Sequence, residues 1–421
     1  MAHRLFASLT PLFALSALAC GGGADLSEGG SGDAPSGVGA SSSGASGGSA
    51  GSSAGVGASS PGAAGTAVIS GGTGGTATGG SATGGSPGGA PIGGSSAGGS
   101  APTGGSAGTT STGGSPGTRP GTGIAPGTLT AGAWDDNRNY DFFARYRSAM
   151  TTSGQAGLLP FTNAEHDTAF DSFMGQLSSR ETLDVALVLD TTGSMGDEML
   201  YLRTEFLALT TSISEAYPNA EQRWSLVVYR DTGDIYSVRA FDFTDDLQEF
   251  QTTLAAQNAD GGGDLPEASE LGLTAAAELG WRTGGATARL AFWVADAPHH
   301  AERAVAMANA VRAVRNAGVH LYPVASSGID ELSEHSMRSA AQLTGGRYLF
   351  LTDDSGVGGA HKEPTIPCYF VTRLDDAILR MVDIELSGIY HEPTTAQIIR
   401  TGGEPLEGSC RLTSGDVVFA Y

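Results

Sequence analysis

The sequence predicts a doubly wound α/β unit, one sheet flanked by helices, carried behind a long stretch that cannot fold. Three observations point there. From residue 183 onward short apolar runs alternate with helix-period runs, two of the most apolar runs end in aspartate, and the composition changes abruptly near residue 131.

The chain has 421 residues, and its 65 glycines crowd into the first third. Met1 to Arg4 form a charged start, followed by an apolar run over residues 5–18 and then Ala19-Cys20-Gly21. That run is too short to remain as a membrane-spanning helix. A small residue before a cysteine, followed at once by a Gly/Ser tract, resembles a bacterial lipoprotein signal over residues 1–20. The resemblance implies an acylated Cys20, an exported chain and a membrane lipid anchor, on an outer membrane or cell surface. Such signals usually carry Leu three residues before the Cys, where this chain has Ala17. Ordinary cleavage near Ala19 and retention in the cytoplasm are the alternatives.

Residues 21–130 are almost wholly Gly, Ser, Ala, Thr and Pro. With so few long apolar side chains the tract cannot offset its own conformational entropy, and it reads as a disordered linker. A Gly-rich chain of about 110 residues has an r.m.s. reach of roughly 55 to 60 Å. Residues 131–180 open with Trp134-Asp-Asp-Asn-Arg-Asn-Tyr-Asp-Phe-Phe143, too aromatic for a tether. This segment is expected to dock on the domain that follows, with an aromatic interaction motif as the alternative.

The domain itself is expected over residues 181–386. Residues 183–190 read as a strand covered on both faces. Beyond it Met199, Leu202, Phe206, Leu209, Ile213 and Ala216 step by three and four up to Pro218, the period of an amphipathic helix. Further strands are expected at 224–229, 236–241, 290–296, 319–325 and 347–351. Helices are expected at 247–255, 267–279, 301–317, 331–343 and 374–386. This βα alternation gives a Rossmann-like sheet, whose ligands sit beyond the carboxyl ends of the strands. In the tail, residues 387–421, Cys410 can pair with Cys368 in an oxidising compartment once Cys20 is set aside, although two buried free thiols are the alternative.

The formal net charge is −22, from 22 Lys and Arg against 44 Asp and Glu. Such a field repels a polyanion, so nucleic acid is excluded as a partner while cations and basic surfaces are attracted. Three acidic loops should meet at one end of the sheet: Asp190, Asp296, and the loop Asp260-Gly-Gly-Gly-Asp264-Leu-Pro-Glu267. In Asp190-Thr-Thr-Gly-Ser194 alternate positions place Asp190, Thr192 and Ser194 on one side of a tight turn. Oxygen donors with no Cys or His at matching spacing describe a site for Mg²⁺ first, with Ca²⁺ or Mn²⁺ possible, and not for zinc.

These residues resemble the metal-ion-dependent adhesion site of von Willebrand factor type A domains. The carriers are Asp190-x-Thr192-x-Ser194, the Gly-rich loop and the strand-final Asp296, over roughly residues 182–386. The family pattern usually has serine where Thr192 stands, and the hydroxyl is kept. Many members place a threonine in the third loop, whereas this chain offers Asp264, either as a ligand or holding waters or Ser194. The resemblance implies a module that binds a protein or other macromolecule and no catalysis. The residues agree with the latter, since they show no Ser/His/Asp or Cys/His pairing, no G-x-S-x-G and no P-loop lysine. The alternatives are an envelope scaffold whose metal only orders loops and a metal-assisted hydrolase; Thr192 stands where an aspartyl-phosphate site needs its second Asp. Other conspicuous residues have plainer readings. Asp197 and Glu198 are expected to offset a helix dipole, Asp231 and Asp234 to form a surface turn, and His299 and His300 to be a loop pair open to a partner.

Overall fold

The computed structural model describes residues 124–174, 178–262 and 265–421. Cys20, the linker up to residue 123 and Asp264 lie outside the described residues. The described chain begins with β1 (Thr130–Trp134), α1 (Tyr140–Ser153) and α2 (Asn163–Met174). The alternating part follows as β2 (Thr182–Asp190), α3 (Met199–Ala216), β3 (Glu221–Tyr229), β4 (Val238–Thr244), α4 (Leu247–Ala255) and α5 (Ser269–Ala277). It continues through β5 (Thr287–Ala295), α6 (Ala304–Asn316), β6 (His320–Ala325), α7 (Glu331–Thr344) and β7 (Tyr348–Leu351). After β8 (Tyr369–Arg373) and α8 (Leu374–Ser387) come the short strands β9 (Arg400–Gly402), β10 (Ser409–Arg411) and β11 (Val417–Phe419).

Nine strands form one sheet in the order β4-β3-β2-β5-β6-β7-β1-β8-β9. The centre, from β3 to β7, is parallel; β4, β1 and β9 run against their neighbours. Helices cover both faces, so the fold is the mostly parallel α/β class that the alternation predicts. The strand sequences show why. In β2 Ala186 and Val188 enter one buried cluster with Val227, Ala291 and Trp293, packed by residues of α5, α6 and α7. The alternate residues Val185, Leu187 and Leu189 enter a second cluster with Leu226, Phe292 and residues of α3, α4 and α8. A strand buried on both faces gains nothing from polar alternation and reads as a continuous apolar run. On α3 the buried positions Leu202, Phe206, Leu209 and Ile213 are the stripe that the period of three and four picks out.

Register fixes the functional end. Leu189 lies opposite Val294, so Asp190 and Asp296 leave neighbouring parallel strands at the same edge, one rung apart.

The segment read from its composition as a docking piece enters the sheet itself. β1 lies between β7 and β8, antiparallel to both. Gly132 makes this insertion possible, because a Cβ there would fall 2.2 Å from the Phe350 ring. Trp134 is fully buried and donates its indole N–H to Asp136 Oδ1 at 2.9 Å. Asp136 in turn accepts two hydrogen bonds from Arg338 of α7, at 2.8 and 2.9 Å. At the other end of the chain a disulfide joins Cys368 to Cys410 with their Cα atoms 6.4 Å apart. Tyr421 is buried, and its carbonyl accepts from the amide of Phe370 at 2.8 Å.

Candidate metal centre

Asp190 ends β2 and is fully buried. Its Oδ1 accepts the Thr192 amide at 2.9 Å and the Thr192 hydroxyl at 2.6 Å, a closed turn that fixes the Thr192 side chain. Thr192 Oγ1 lies 3.2 Å from Ser194 Oγ, and Asp296 stands just beyond the end of β5, the strand paired with β2. Asp190, Thr192, Ser194 and Asp296 are thus brought to the same end of the sheet, with Ser194 exposed and the other three buried. A 3₁₀ turn, Gly193–Asp197, leads from this cluster into α3.

The Gly-rich loop closes over the turn. The Gly193 amide donates to the Gly261 carbonyl at 3.0 Å, and the Asp260 amide donates to the Thr191 carbonyl at 3.1 Å. A side chain at Gly193 is impossible in this arrangement, since its Cβ would meet the Gly261 oxygen at 2.6 Å. Gly261 and Gly262 take positive φ, +76° and +65°, which lets the loop turn back within reach of Thr192. Asp234 holds the loop from the other side, accepting the Gly262 amide at 3.1 Å with each carboxylate oxygen. Asp264, two residues on, is outside the described residues.

The electrostatics of the cluster are those of an uncompensated anion site. Asp190 Oδ2, Asp296 Oδ1 and Glu267 Oε2 are buried without a hydrogen-bond partner among the described residues. Burial pushes the Asp190 carboxyl up to about 6 against the hydrogen bonds from Thr192 that lower it. Burial, with the charge of Asp190 added, pushes Asp296 up to about 7. Glu267 rises to about 9, through burial and then the charges of Asp190, Asp231 and Asp296. Buried carboxylates are ordinarily paired or bound to metal, because an isolated charge in a low dielectric is costly. Among the described residues no group of three or more His, Cys, Asp or Glu side chains is placed to hold a metal by itself. A ligand set here therefore draws on hydroxyls. Two carboxylates with free oxygens beside two hydroxyls fit a hard divalent cation and do not fit a soft one.

Glu267 was not picked out by sequence reasoning as a member of the cluster, although the acid that closes the Gly-Gly-Gly-Asp-Leu-Pro-Glu loop was its signal. It is 1% exposed, and its backbone bridges to that of His299. Glu198 stands at the start of α3, as expected of a dipole-offsetting acid, and carries further contacts: it is buried, accepts the Ser327 amide at 3.0 Å and pairs with His361 at 3.0 Å, so it ties three loops together. The histidine pair is likewise not open to a partner. His299 is buried, with Nε2 at 2.9 Å from the Gly157 carbonyl. His300 Nε2 sits 2.7 Å from Asp231 Oδ1, which gives Asp231 a bonding role inside the loop cluster.

Solved structures to which the chain is similar include the pilus adhesin SpaC of Lactobacillus rhamnosus GG in its open conformation. That match has 12% identity and a TM-score of 0.31, over 40% of this chain and 27% of the adhesin. A second form of that adhesin matches at 11% identity and a TM-score of 0.32, over 40% and 28% of the two chains. The conserved hypothetical protein BatB of Bacteroides thetaiotaomicron matches at 13% identity and a TM-score of 0.31, over 40% of this chain and 89% of BatB. The chain therefore spans little more than a quarter of the adhesin's length. No curated protein matches it. Residues 184–322, which hold Asp190, Thr192, Ser194 and Asp296, match the family model of the von Willebrand factor A domain.

Proposed function

We propose that this protein is an envelope-tethered recognition module that binds a protein or other macromolecule through a divalent cation, Mg²⁺ first, at the carboxyl end of its sheet. The observation that carries the reading is the pair of buried aspartates, each with an unpartnered oxygen, set beside the hydroxyls of Thr192 and Ser194. These four residues would hold the ion, and Asp264 is expected to add a third carboxylate to it or to its waters. When bound, the ion supplies a Lewis-acidic position for an oxygen of the partner. The protein's own part is to hold the Thr192 hydroxyl in place through Asp190 Oδ1, with the Ser194 hydroxyl against it, and to lay the Gly261 carbonyl over the turn. Binding is favoured over catalysis, because among the described residues the Ser194 hydroxyl is bonded to Thr192 and to no histidine base.

The tether belongs to the same reading. An acylated Cys20 would anchor the chain at about 0.8 kcal/mol per buried CH₂, and residues 21–130 would let the module sample the space around its anchor. The test is capture of a partner from an envelope extract by the full chain, with and without EDTA, and by Asp190→Ala. Capture that depends on both the cation and Asp190 is expected. Capture indifferent to both would overturn the adhesion reading, and the scaffold alternative would then stand.

A further inference from the structure

The opposite end of the sheet carries a cavity whose lining is chemically the reverse of the acidic cluster. Its volume is about 500 Å³, and it lies where the strands begin: Arg180 precedes β2, Arg289 is near the start of β5, and Arg315 is in the last turn of α6. Phe173 gives it an apolar surface, with Leu343 and Ile384 buried behind it. A volume of this size is in the ordinary range for small-molecule sites.

Arg180, Arg289 and Arg315 form no ion pair among the described residues, in a chain with twice as many acids as bases. The one acid in the wall, Glu385, is already taken by His320 at 2.7 Å, the Tyr322 hydroxyl at 2.5 Å and Arg347 at 4.0 Å. Arg347 is the fourth arginine of the cavity, and Asp135 neutralises it at 2.9 Å. Gly175, Gln176 and Leu177, which connect α2 to the Arg180 segment, carry no acid.

The plain alternative is that the arginines satisfy carbonyls at helix and strand ends. It accounts for part of their donors only. Arg180 gives one bond, to the Thr287 carbonyl at 3.0 Å, while its Nε is buried and donates to nothing among the described residues. Arg289 bonds the carbonyls of Gly318, Arg282 and Gly284 through Nε and one terminal nitrogen, which leaves the other terminal nitrogen free. No side-chain hydrogen bond of Arg315 exists among the described residues. The charges also work against each other, since burial and then the charge of Arg180 lower the Arg289 guanidinium. The carboxylate that partly offsets this, Asp184, is itself paired with Arg223 and Arg282, so the three guanidiniums lining the cavity are stabilised by an anion that joins them.

We propose that this cavity binds a small organic phosphate or sulfate ester. Its oxyanion is held by Arg180, Arg289 and Arg315, and its body lies against Phe173. A tetrahedral oxyanion offers more acceptor oxygens than a carboxylate and matches the forked donors of several arginines. The apolar surface calls for a ligand larger than the bare ion.

The test is calorimetric titration of the full chain with phenyl phosphate and phenyl sulfate, with inorganic phosphate and benzoate for comparison. EDTA is kept present so that no cation at Asp190 contributes. Saturable binding of one or both aryl esters is expected, tighter than that of inorganic phosphate or benzoate, and which ester binds better distinguishes the two headgroups. Arg315→Ala, whose side chain has no structural bond to lose, and Arg180→Ala should each weaken it roughly tenfold, the loss of one charge-assisted bond. Arg239→Ala, on the exposed edge strand β4, should leave it unchanged. No saturable binding, or equal binding by Arg315→Ala with an unchanged melting temperature, or an equal loss in Arg239→Ala, would each overturn the proposal. None of these outcomes bears on the cation site at the other end.

Discussion

Acidification should weaken the attachment of the N-terminal helices to α7, through two histidines that the fold buries in their neutral form. His166 of α2 and His335 of α7 are 2% and 5% exposed. Burial, with the charge of Arg147 added, holds His166 down to about 4. Burial, then Arg338 and His166, hold His335 down to about 3. Both values lie below the ordinary imidazole value of 6.5, so the unfolded chain takes up protons that the folded chain refuses. Stability from this source is complete above about pH 6.5 and is lost as the pH falls toward the folded values. Between pH 7 and pH 5 each histidine accounts for about 2 kcal/mol, an order-of-magnitude figure from the difference between folded and unfolded values. About 4 kcal/mol for the pair is a large part of the roughly 5 to 15 kcal/mol that holds an ordinary domain together.

The assay is urea unfolding at pH 7 and pH 5, on the wild type and on His335→Leu, which keeps an apolar side chain against Tyr146. The raised carboxyls of Asp190, Asp296 and Glu267 act in the opposite direction over this range, so the readout is the difference between the two proteins. On going from pH 7 to pH 5 the wild type should lose about 2 kcal/mol relative to His335→Leu. An unchanged pH dependence in His335→Leu would refute the reasoning, whatever the variant does to absolute stability.

Other consequences can be checked with the same material. Arg338 is fully buried between Asp136 and Glu334; Glu334 keeps Lys362 as a partner, but Arg338→Ala leaves the buried Asp136 carboxylate without its counter-ion and should cost about 3 to 5 kcal/mol by urea unfolding. The loss should be smaller in an Asp136→Asn background, because the stranded charge is then gone. Reducing the Cys368–Cys410 bridge, which spans 42 residues, should destabilise the chain by about 4 kcal/mol on the loop-entropy estimate. Substituting both cysteines by serine should reproduce the drop in melting temperature.

The sequence was most informative where burial is symmetric or periodic. The run from Leu183 to Asp190 has both faces covered, and α3 keeps one apolar stripe, so strand and helix could be read from side-chain chemistry alone. The site was legible for the same reason, because a residue at the carboxyl end of a parallel strand has its position fixed by the strand. Pairing that depends on distant chain was not legible. β1 carries only five residues, and its place between β7 and β8 rests on the fit of Gly132 to the Phe350 ring, more than 200 residues away. Glu198 does open α3, but sequence spacing cannot reveal that Ser327 and His361 fold back over it. Glu267 was passed over because its role comes from the charges it faces across the loop. Its neighbours in the chain give no sign of them.

The central claim is a single divalent cation held between the loops after β2 and β5. Its most direct measurement is calorimetric titration of the EDTA-stripped full chain with Mg²⁺, followed by Asp190→Ala and Asp296→Ala. The account predicts one cation per chain, with binding abolished in both variants while their folds, read by circular dichroism, are retained. Undiminished binding in Asp190→Ala, or no cation uptake by the wild type from Mg²⁺, Ca²⁺ or Mn²⁺, would contradict it.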